Sequence, residues 1–281
     1  MFNKKRLVAI LTGTLLVGSL VGCSAGGASN SGSGSSDSSK ITISGSTSVG
    51  PTMEILAEDY QKANKGTTIE VQQVGSSAGI TNTIDGTSQI GMSSRDLKDE
   101  EKSELKEYQI AIDGIAVITN SANKVKDLTL DQVKDIYTGK ITNWKEVGGN
   151  DADIVVVSRE DGSGTRDGFQ EIVGFESGDL TSNAQISDGS GNIKTTVQGN
   201  ENAIGYISFG YLDDSINSVK IGGVEPKEEN VYNKKYPISR PFLLVTKGDA
   251  TGDAKSFIDY VLSDAGQKTI EKEGFMSVNQ K

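Results

Sequence analysis

Four stretches of this sequence put small residues and hydroxyls where a strand-like run gives way to a helix-like one. They are Gly45-Ser46-Thr47-Ser48-Val49-Gly50-Pro51-Thr52, Gly75-Ser76-Ser77-Ala78-Gly79, Ile90-Gly91-Met92-Ser93-Ser94-Arg95-Asp96 and Arg159-Glu160-Asp161-Gly162-Ser163-Gly164-Thr165-Arg166. The first N–H groups of a helix have no partner inside it, and the aligned peptide dipoles make that end positive. Such an end suits an anion. Pro51 fits a first helical turn, where its missing N–H costs nothing. The first stretch also matches the GxxxxGK[ST] phosphate loop except that Pro51 stands where lysine would reach the outer phosphates, so a nucleotide-hydrolysing reading lacks its central charge. Taken singly, each turn also reads as a Ser/Gly cap with no ligand. Four in one chain, two of them with arginine, favour a site, because open α/β sheets collect ligands at the carboxyl ends of their strands.

Arginine adds charge to the neutral donors. Arg159 and Arg166 flank Gly162-Ser163-Gly164, and a guanidinium presents a planar fork that matches phosphate or carboxylate oxygens. The alternative is that they pair with Glu160, Asp161 or Asp167 on the surface, where such pairs contribute little.

Composition removes most rival chemistries. The chain has 281 residues, 28 Lys or Arg against 38 Asp or Glu, a formal charge of −10, no histidine and one cysteine. Without histidine there is no Ser-His-Asp or Cys-His unit, and no GxSxG elbow is present. One cysteine cannot build a zinc cluster, an intrachain disulfide or a CxxC pair. The sequence thus predicts no catalytic residues, no metal and no cofactor. The acidic balance also argues against nucleic acid as a partner, which needs a basic field. An anion site in an acidic chain must select by donors aimed at short range.

The elements that would position these turns alternate. Residues 41–44, 68–74, 110–119, 154–158, 204–209 and 240–246 read as strands, and 52–64, 99–107, 130–137, 165–173, 193–198 and 255–263 read as helices, with 80–84 helix-like. This alternation predicts an α/β fold with buried, mostly parallel strands.

Before this body lies a leader. Lys4, Lys5 and Arg6 precede an uncharged run of 16 residues, Leu7 to Gly22, too short for the roughly 20 residues a spanning helix needs, so residues 1–22 read as a secretion signal. The run ends in Leu20-Val21-Gly22-Cys23, which resembles the lipobox of bacterial lipoproteins. That resemblance implies cleavage before Cys23, acylation of its sulfur and anchoring of the mature chain to the outer face of the cell membrane; two acyl chains suffice for a stable anchor. Ser24 to Ser39 holds 12 Ser or Gly in 16 residues, so 23–39 is expected to be a lipidated tether, spanning about 20 to 24 Å.

In order along the body stand Gly45-Ser-Thr, Gly75-Ser-Ser-Ala-Gly, Gly91-Met-Ser-Ser, Asp135-Ile-Tyr-Thr-Gly-Lys-Ile-Thr-Asn-Trp144, Ser158-Arg-Glu-Asp-Gly-Ser-Gly-Thr165 and Ala203-Ile-Gly-Tyr206. From Lys40 to the C-terminus this resembles the substrate-binding protein of the phosphate-specific ABC importer, with Arg-x-Asp-Gly-Ser-Gly-Thr the most specific element. The resemblance implies a two-lobed periplasmic-binding-protein-like fold with two crossover strands and a ligand cleft. Lobe 1 would be 40–113 with 241–281, lobe 2 would be 114–240, and 114–119 and 238–244 would be the crossovers. It implies inorganic phosphate as ligand, and permease subunits with a cytoplasmic ATPase as partners. The site it implies is Thr47 and Ser48 from the first turn, Ser76 from the second, Arg159 as the charged clamp oriented by Asp161, and Ser163, Gly164 and Thr165 at the helix start. Ser46, Arg95 and Arg166 are further candidates. Ser94 stands where the resemblance implies an acidic acceptor, which leaves phosphate's proton to a hydroxyl. Trp144 and Ala203 to Tyr206 are expected to be structural, and Gly189-Ser190-Gly191 a plain cap. Two rivals stay open: a protein for another oxyanion, such as sulfate or molybdate, and a serine-dependent esterase or phosphatase.

Overall fold

The computed structural model describes residues 39–279; the expected leader, Cys23 and most of the tether lie outside the described residues. The first half comprises β1 (Ser39–Gly45), α1 (Gly50–Ala63), β2 (Thr67–Gln73), α2 (Ser76–Ile84), β3 (Ile90–Ser93), α3 (Asp99–Lys102) and β4 (Leu105–Asn120). Then come β5 (Asp127–Leu128), α4 (Leu130–Tyr137), β6 (Val155–Arg159), α5 (Gly164–Val173), β7 (Gln185–Ser187), α6 (Gly189–Gln198) and β8 (Ala203–Ser208). The chain ends with β9 (Ile216–Ser218), β10 (Lys220–Ile221), α7 (Glu228–Tyr232), β11 (Ser239–Lys247), α8 (Gly252–Leu262), α9 (Asp264–Lys272) and β12 (Met276–Ser277).

The main sheet runs β2-β1-β3-β11-β4-β8-β6-β7, with β9 and β12 also paired to β4. Its flanks are parallel, β1 with β2 and β3, and β6 with β7 and β8. Its centre is antiparallel, because β11 runs against both β3 and β4, and β4 runs against β8. The expectation of mostly parallel strands is therefore corrected to a mixed sheet. The reason is the insertion of β11, which returns from the far end of the chain to lie between β3 and β4 and runs against both, so that β3 and β4 share one direction without being neighbours.

Strand β4 joins two regions of the sheet. Residues 105–114 pair with β11, and residues 115–119 pair with β8. Apolar burial divides at the same place. One core cluster draws on residues between Ile115 and Ile238 plus Met276, a second on residues between Ile41 and Ala111 and between Phe242 and Phe275. At the division, Arg240 donates to buried Asp113 from Nε at 3.1 Å and Nη2 at 2.8 Å, tying β11 to β4.

The expected helix 99–107 is also corrected. The helix stops at Lys102, and Leu105, Lys106 and Glu107 pair with Lys247, Thr246 and Val245. Leu105 is buried in a small cluster with Ile80, Leu97, Leu243 and Val245, and that tertiary burial outweighs the helix propensity of the charged residues beside it.

Two glycines bring the second turn onto the first strand. Gly45 has φ 144°, and a side chain there would meet Met92 O at 2.2 Å; a Cβ on Gly79 would lie 2.4 Å from Gly45 Cα. Helix α2 thus rests directly on the backbone at the end of β1, which only glycine permits.

Candidate functional site

The four turns meet. Proline sits in the first turn of α1, as its sequence suggests, and neither α1 nor α2 has a side-chain cap on its first N–H groups. Helix α5 differs, since Ser163 Oγ accepts from Arg166 N at 3.3 Å. Ser46 Oγ accepts from the N–H groups of Ser48 and Val49 at 3.2 and 3.4 Å and donates to Ser94 Oγ at 2.8 Å. Ser76 Oγ accepts from Ser94 N at 3.1 Å and lies 3.3 Å from Ser94 Oγ. Ser46, Ser76 and Ser94 therefore form one buried hydroxyl cluster across the ends of β1, β3 and α2.

The fourth turn closes on that cluster. Ser48 Oγ and Thr165 Oγ1 share a hydrogen bond of 2.9 Å. A Cβ on Gly164 would lie 2.3 Å from Ser76 Oγ and 2.8 Å from Ser94 Oγ, so the start of α5 is in contact with the serines. Ser77 N donates to Gly162 O at 3.1 Å beside it. Thr47 is gripped twice from the opposite side, its Oγ1 accepting from Arg159 Nη2 at 2.9 Å and its carbonyl from Tyr211 Oη at 3.1 Å.

Arg159 is the charge in this arrangement. Only 1% of it is exposed, and its Nη1 is buried without a hydrogen-bond partner among the described residues. Its Nε and Nη2 donate to the two carboxylate oxygens of Glu160, each at 2.7 Å. Burial acts to raise the Glu160 carboxyl, but the Arg159 hydrogen bond and charge and the Gly189 N–H bring it below the usual range. Tyr206 Oη accepts from Arg159 N at 3.2 Å and shares a 2.9 Å bond with Ser158 Oγ. Burial pushes the Tyr206 and Tyr211 hydroxyls up, so both are neutral partners at ordinary pH.

Three expectations change in detail. Asp161 does not orient Arg159: it is 94% exposed and pairs with Arg166 Nη1 at 2.6 Å, because Glu160, seated at the start of α6, already fills that role. Arg166 is buried and its Nη1 also donates to Arg159 O at 3.0 Å, so it braces the turn and does not extend the hydroxyl cluster. Arg95 turns away to Glu101. Thr47, Ser48, Ser76, Ser94, Arg159, Gly164 and Thr165 do come together, with Ser46 among them and Ser163 as the cap. The sequence names Glu160 as an arginine partner but places the pair on the surface, gives no part to Tyr211 and treats Tyr206 only as buried core. Glu160 had a visible signal, its adjacency to Arg159; the two tyrosines reach the site from distant elements and had none.

Chemically, the cluster offers the positive ends of three helices, hydroxyls that both donate and accept, and one guanidinium nitrogen. The hydrogen bonds of Ser46, Ser48, Ser76 and Ser94 run to other hydroxyls and to backbone N–H groups. A nucleophilic serine needs a base within reach, and among the described residues these four have none. The geometry suits holding a small oxyanion.

Residues 25–265 match the family described as PBP superfamily domain. The phosphate-binding protein PstS of Bacillus subtilis (strain 168) is 38% identical over 246 residues, covering 86% of this chain and 81% of that protein. PstS of Borreliella burgdorferi is 30% identical over 250 residues, covering 85% and 90%. Among solved structures, a putative phosphate ABC transporter substrate-binding protein with bound phosphate from Clostridium perfringens is 64% identical with a TM-score of 0.84, covering 85% of this chain and 100% of that one. An ABC-type phosphate transport receptor from Vibrio cholerae is 39% identical with a TM-score of 0.74, at the same coverage.

Proposed function

The chain belongs to the PBP superfamily and, within it, to the phosphate-binding proteins of ABC importers, and from that premise we propose how its own residues take up the ligand. It binds inorganic phosphate for import. The observation that carries the site assignment is Arg159: a guanidinium 1% exposed, with one buried nitrogen unpartnered, beside three helix starts and a set of hydroxyls. Nη1 is the charged donor to phosphate. Thr47, Ser48, Ser76, Ser94 and Thr165 supply hydroxyls, and the positive ends of α1, α2 and α5 supply helix-dipole attraction. Glu160 cancels much of Arg159's net charge, so attraction rests on aimed dipoles as much as on charge. Several charge-assisted hydrogen bonds of roughly 1.5 to 3 kcal/mol each, less desolvation and ordering, allow a micromolar or tighter constant, about −8 kcal/mol or better.

The two lobes are 40–113 with 241–281 and 114–240. This division is supported by the two apolar clusters and by the change of partner along β4. Opening and closing is a hinge motion about the crossings near Gly114 and Ser239, where Asp113 and Arg240 pair. The mature chain works outside the cytoplasm, held to the membrane by lipid on Cys23, and hands phosphate to permease subunits driven by a cytoplasmic ATPase. Neither a metal nor a cofactor takes part.

Equilibrium dialysis against labelled phosphate, run beside a turnover assay with a chromogenic phosphate ester, tests this reading. Retention of about one phosphate per chain without ester hydrolysis is expected. Hydrolysis that depends on Ser48, Ser76 or Ser94 would replace the binding protein with an enzyme.

A further inference from the structure

Arg95 follows Ser94, yet its guanidinium is fixed by its own neighbours. It is 4% exposed and donates to Glu101 through Nη1 at 2.7 Å and Nη2 at 2.8 Å, and to Asp96 O through Nη1 at 2.8 Å. Glu101 is anchored in turn by Lys98 N at 2.8 Å. Nη2 also donates to Ser77 Oγ of α2 at 3.3 Å, so residues 95–101 and α2 hold the guanidinium on one wall without help from α5. The remaining nitrogen, Nε, faces α5, where Asp167 Oδ2 lies 3.0 Å away. Nε is out of line for an N–H···O bond, so the attraction is Coulombic. Asp167 stands in the first turn of α5, three residues beyond the Gly164 that touches Ser76 and Ser94.

We propose that Arg95 and Asp167 form a latch between the two walls of the phosphate cleft, which slows release of phosphate without touching it. The proposal rests on the phosphate reading. Moving α5 away from Ser76 and Ser94 would take Asp167 from Arg95 but leave Arg95 with Glu101, so the contact exists only while the cleft is shut. A contact made in one state alone stabilises that state, and a ligand bound by the closed state gains affinity to the same extent.

The sign of the effect separates the latch from simple electrostatics. Asp167 is an anion one turn from an anion site, so its removal should by charge alone tighten phosphate. The latch requires the opposite. On the full chain, Asp167→Asn should weaken phosphate about fivefold, the scale of a partly exposed ion pair, through faster dissociation at an unchanged association rate. Asp167→Glu should recover most of that loss, and adding Arg95→Lys to Asp167→Asn should cost little more. Tighter or unchanged binding by Asp167→Asn, or a loss confined to association, would overturn the latch. Hydrogen exchange without phosphate reads closure independently: the Ser77 amide, bonded to Gly162 O, should exchange faster in Asp167→Asn than in the parent. Equal exchange overturns the latch even if the parent proves not to bind phosphate, whereas a parent that fails to bind phosphate but shows the exchange difference would retain the latch and remove the ligand assignment.

Discussion

At the scale of single residues, the sequence shows which groups gather at the candidate site better than which groups support them. The hydroxyls of the four turns are legible because strand-to-helix turns recur with the same residue types. The support for Arg159 was misassigned to Asp161, since spacing alone does not say which of two adjacent acids is buried. Glu160 is 24% exposed against 94% for Asp161. This difference in burial bears on the two arginines. Losing a buried charged donor to a charged ligand costs about 2 to 5 kcal/mol, so Arg159→Ala should weaken phosphate at least about thirtyfold in calorimetric titration. Arg166→Ala, which removes a brace on the Arg159 carbonyl, should weaken it less. Comparable small losses in both variants would mean that helix ends and hydroxyls dominate.

Ser94 carries a second prediction at this scale. Ser46 donates to it at 2.8 Å, leaving its own O–H and a lone pair for neighbours or ligand. A hydroxyl accepts the proton of phosphate but can also donate to sulfate. Ser94→Asp should widen the preference for phosphate over sulfate, mainly by worsening sulfate, because an added carboxylate repels a ligand that only accepts. The chain has no histidine, and the Glu160 carboxyl titrates below its usual range. No side chain with an ordinary pKa between 5 and 8 is present, so phosphate affinity of the parent should change little from about pH 6 to pH 8 beyond what the ligand's own ionisation causes. Paired titrations with phosphate and sulfate at both pH values check this; full exclusion of sulfate by the parent, unchanged in the variant, would remove Ser94 as the selector.

At the scale of elements, α1, α4, α5, β1, β2, β6 and β8 were legible because period and caps agree with their final burial. Others were not. Helix α9 begins at Asp264 directly after α8 ends at Leu262, with Ser263 accepting from Gly266 N and donating to Tyr260 O, so two helices share one residue between them and leave no loop signal. The antiparallel centre of the sheet was hidden for a different reason: pairing partners 85 residues or more apart are set by topology and not by local pattern. The position that couples these elements across the candidate site is Gly164, where α5 starts against Ser76 and Ser94. Gly164→Ala suits a first helical turn and should leave thermal stability without ligand nearly unchanged. Its methyl must hold the cleft ajar or displace Ser76, and phosphate affinity should fall by at least about tenfold, the factor that 1.4 kcal/mol gives and within the 1 to 3 kcal/mol typical of overpacking. A normal phosphate-induced rise in melting temperature would show that α5 does not close on the serines.

At the scale of the whole molecule, the body is an α/β scaffold that brings turns from distant parts of the chain to one point, and the proposed leader would decide where that body works. Cys23 is the sole thiol and follows Leu20-Val21-Gly22. Cys23→Ser should therefore release the protein into the medium or leave it unprocessed while phosphate binding persists; mature protein retained on the membrane would contradict the anchor. The central property of the intact protein is its choice of ligand. Calorimetric titration with phosphate, sulfate and molybdate measures this most directly. The arrangement of Arg159, the serines and three helix ends predicts one phosphate per chain with a micromolar or tighter constant, about −8 kcal/mol or better, and weaker binding of the other two. No heat with phosphate, or tighter binding of sulfate or molybdate, would contradict it.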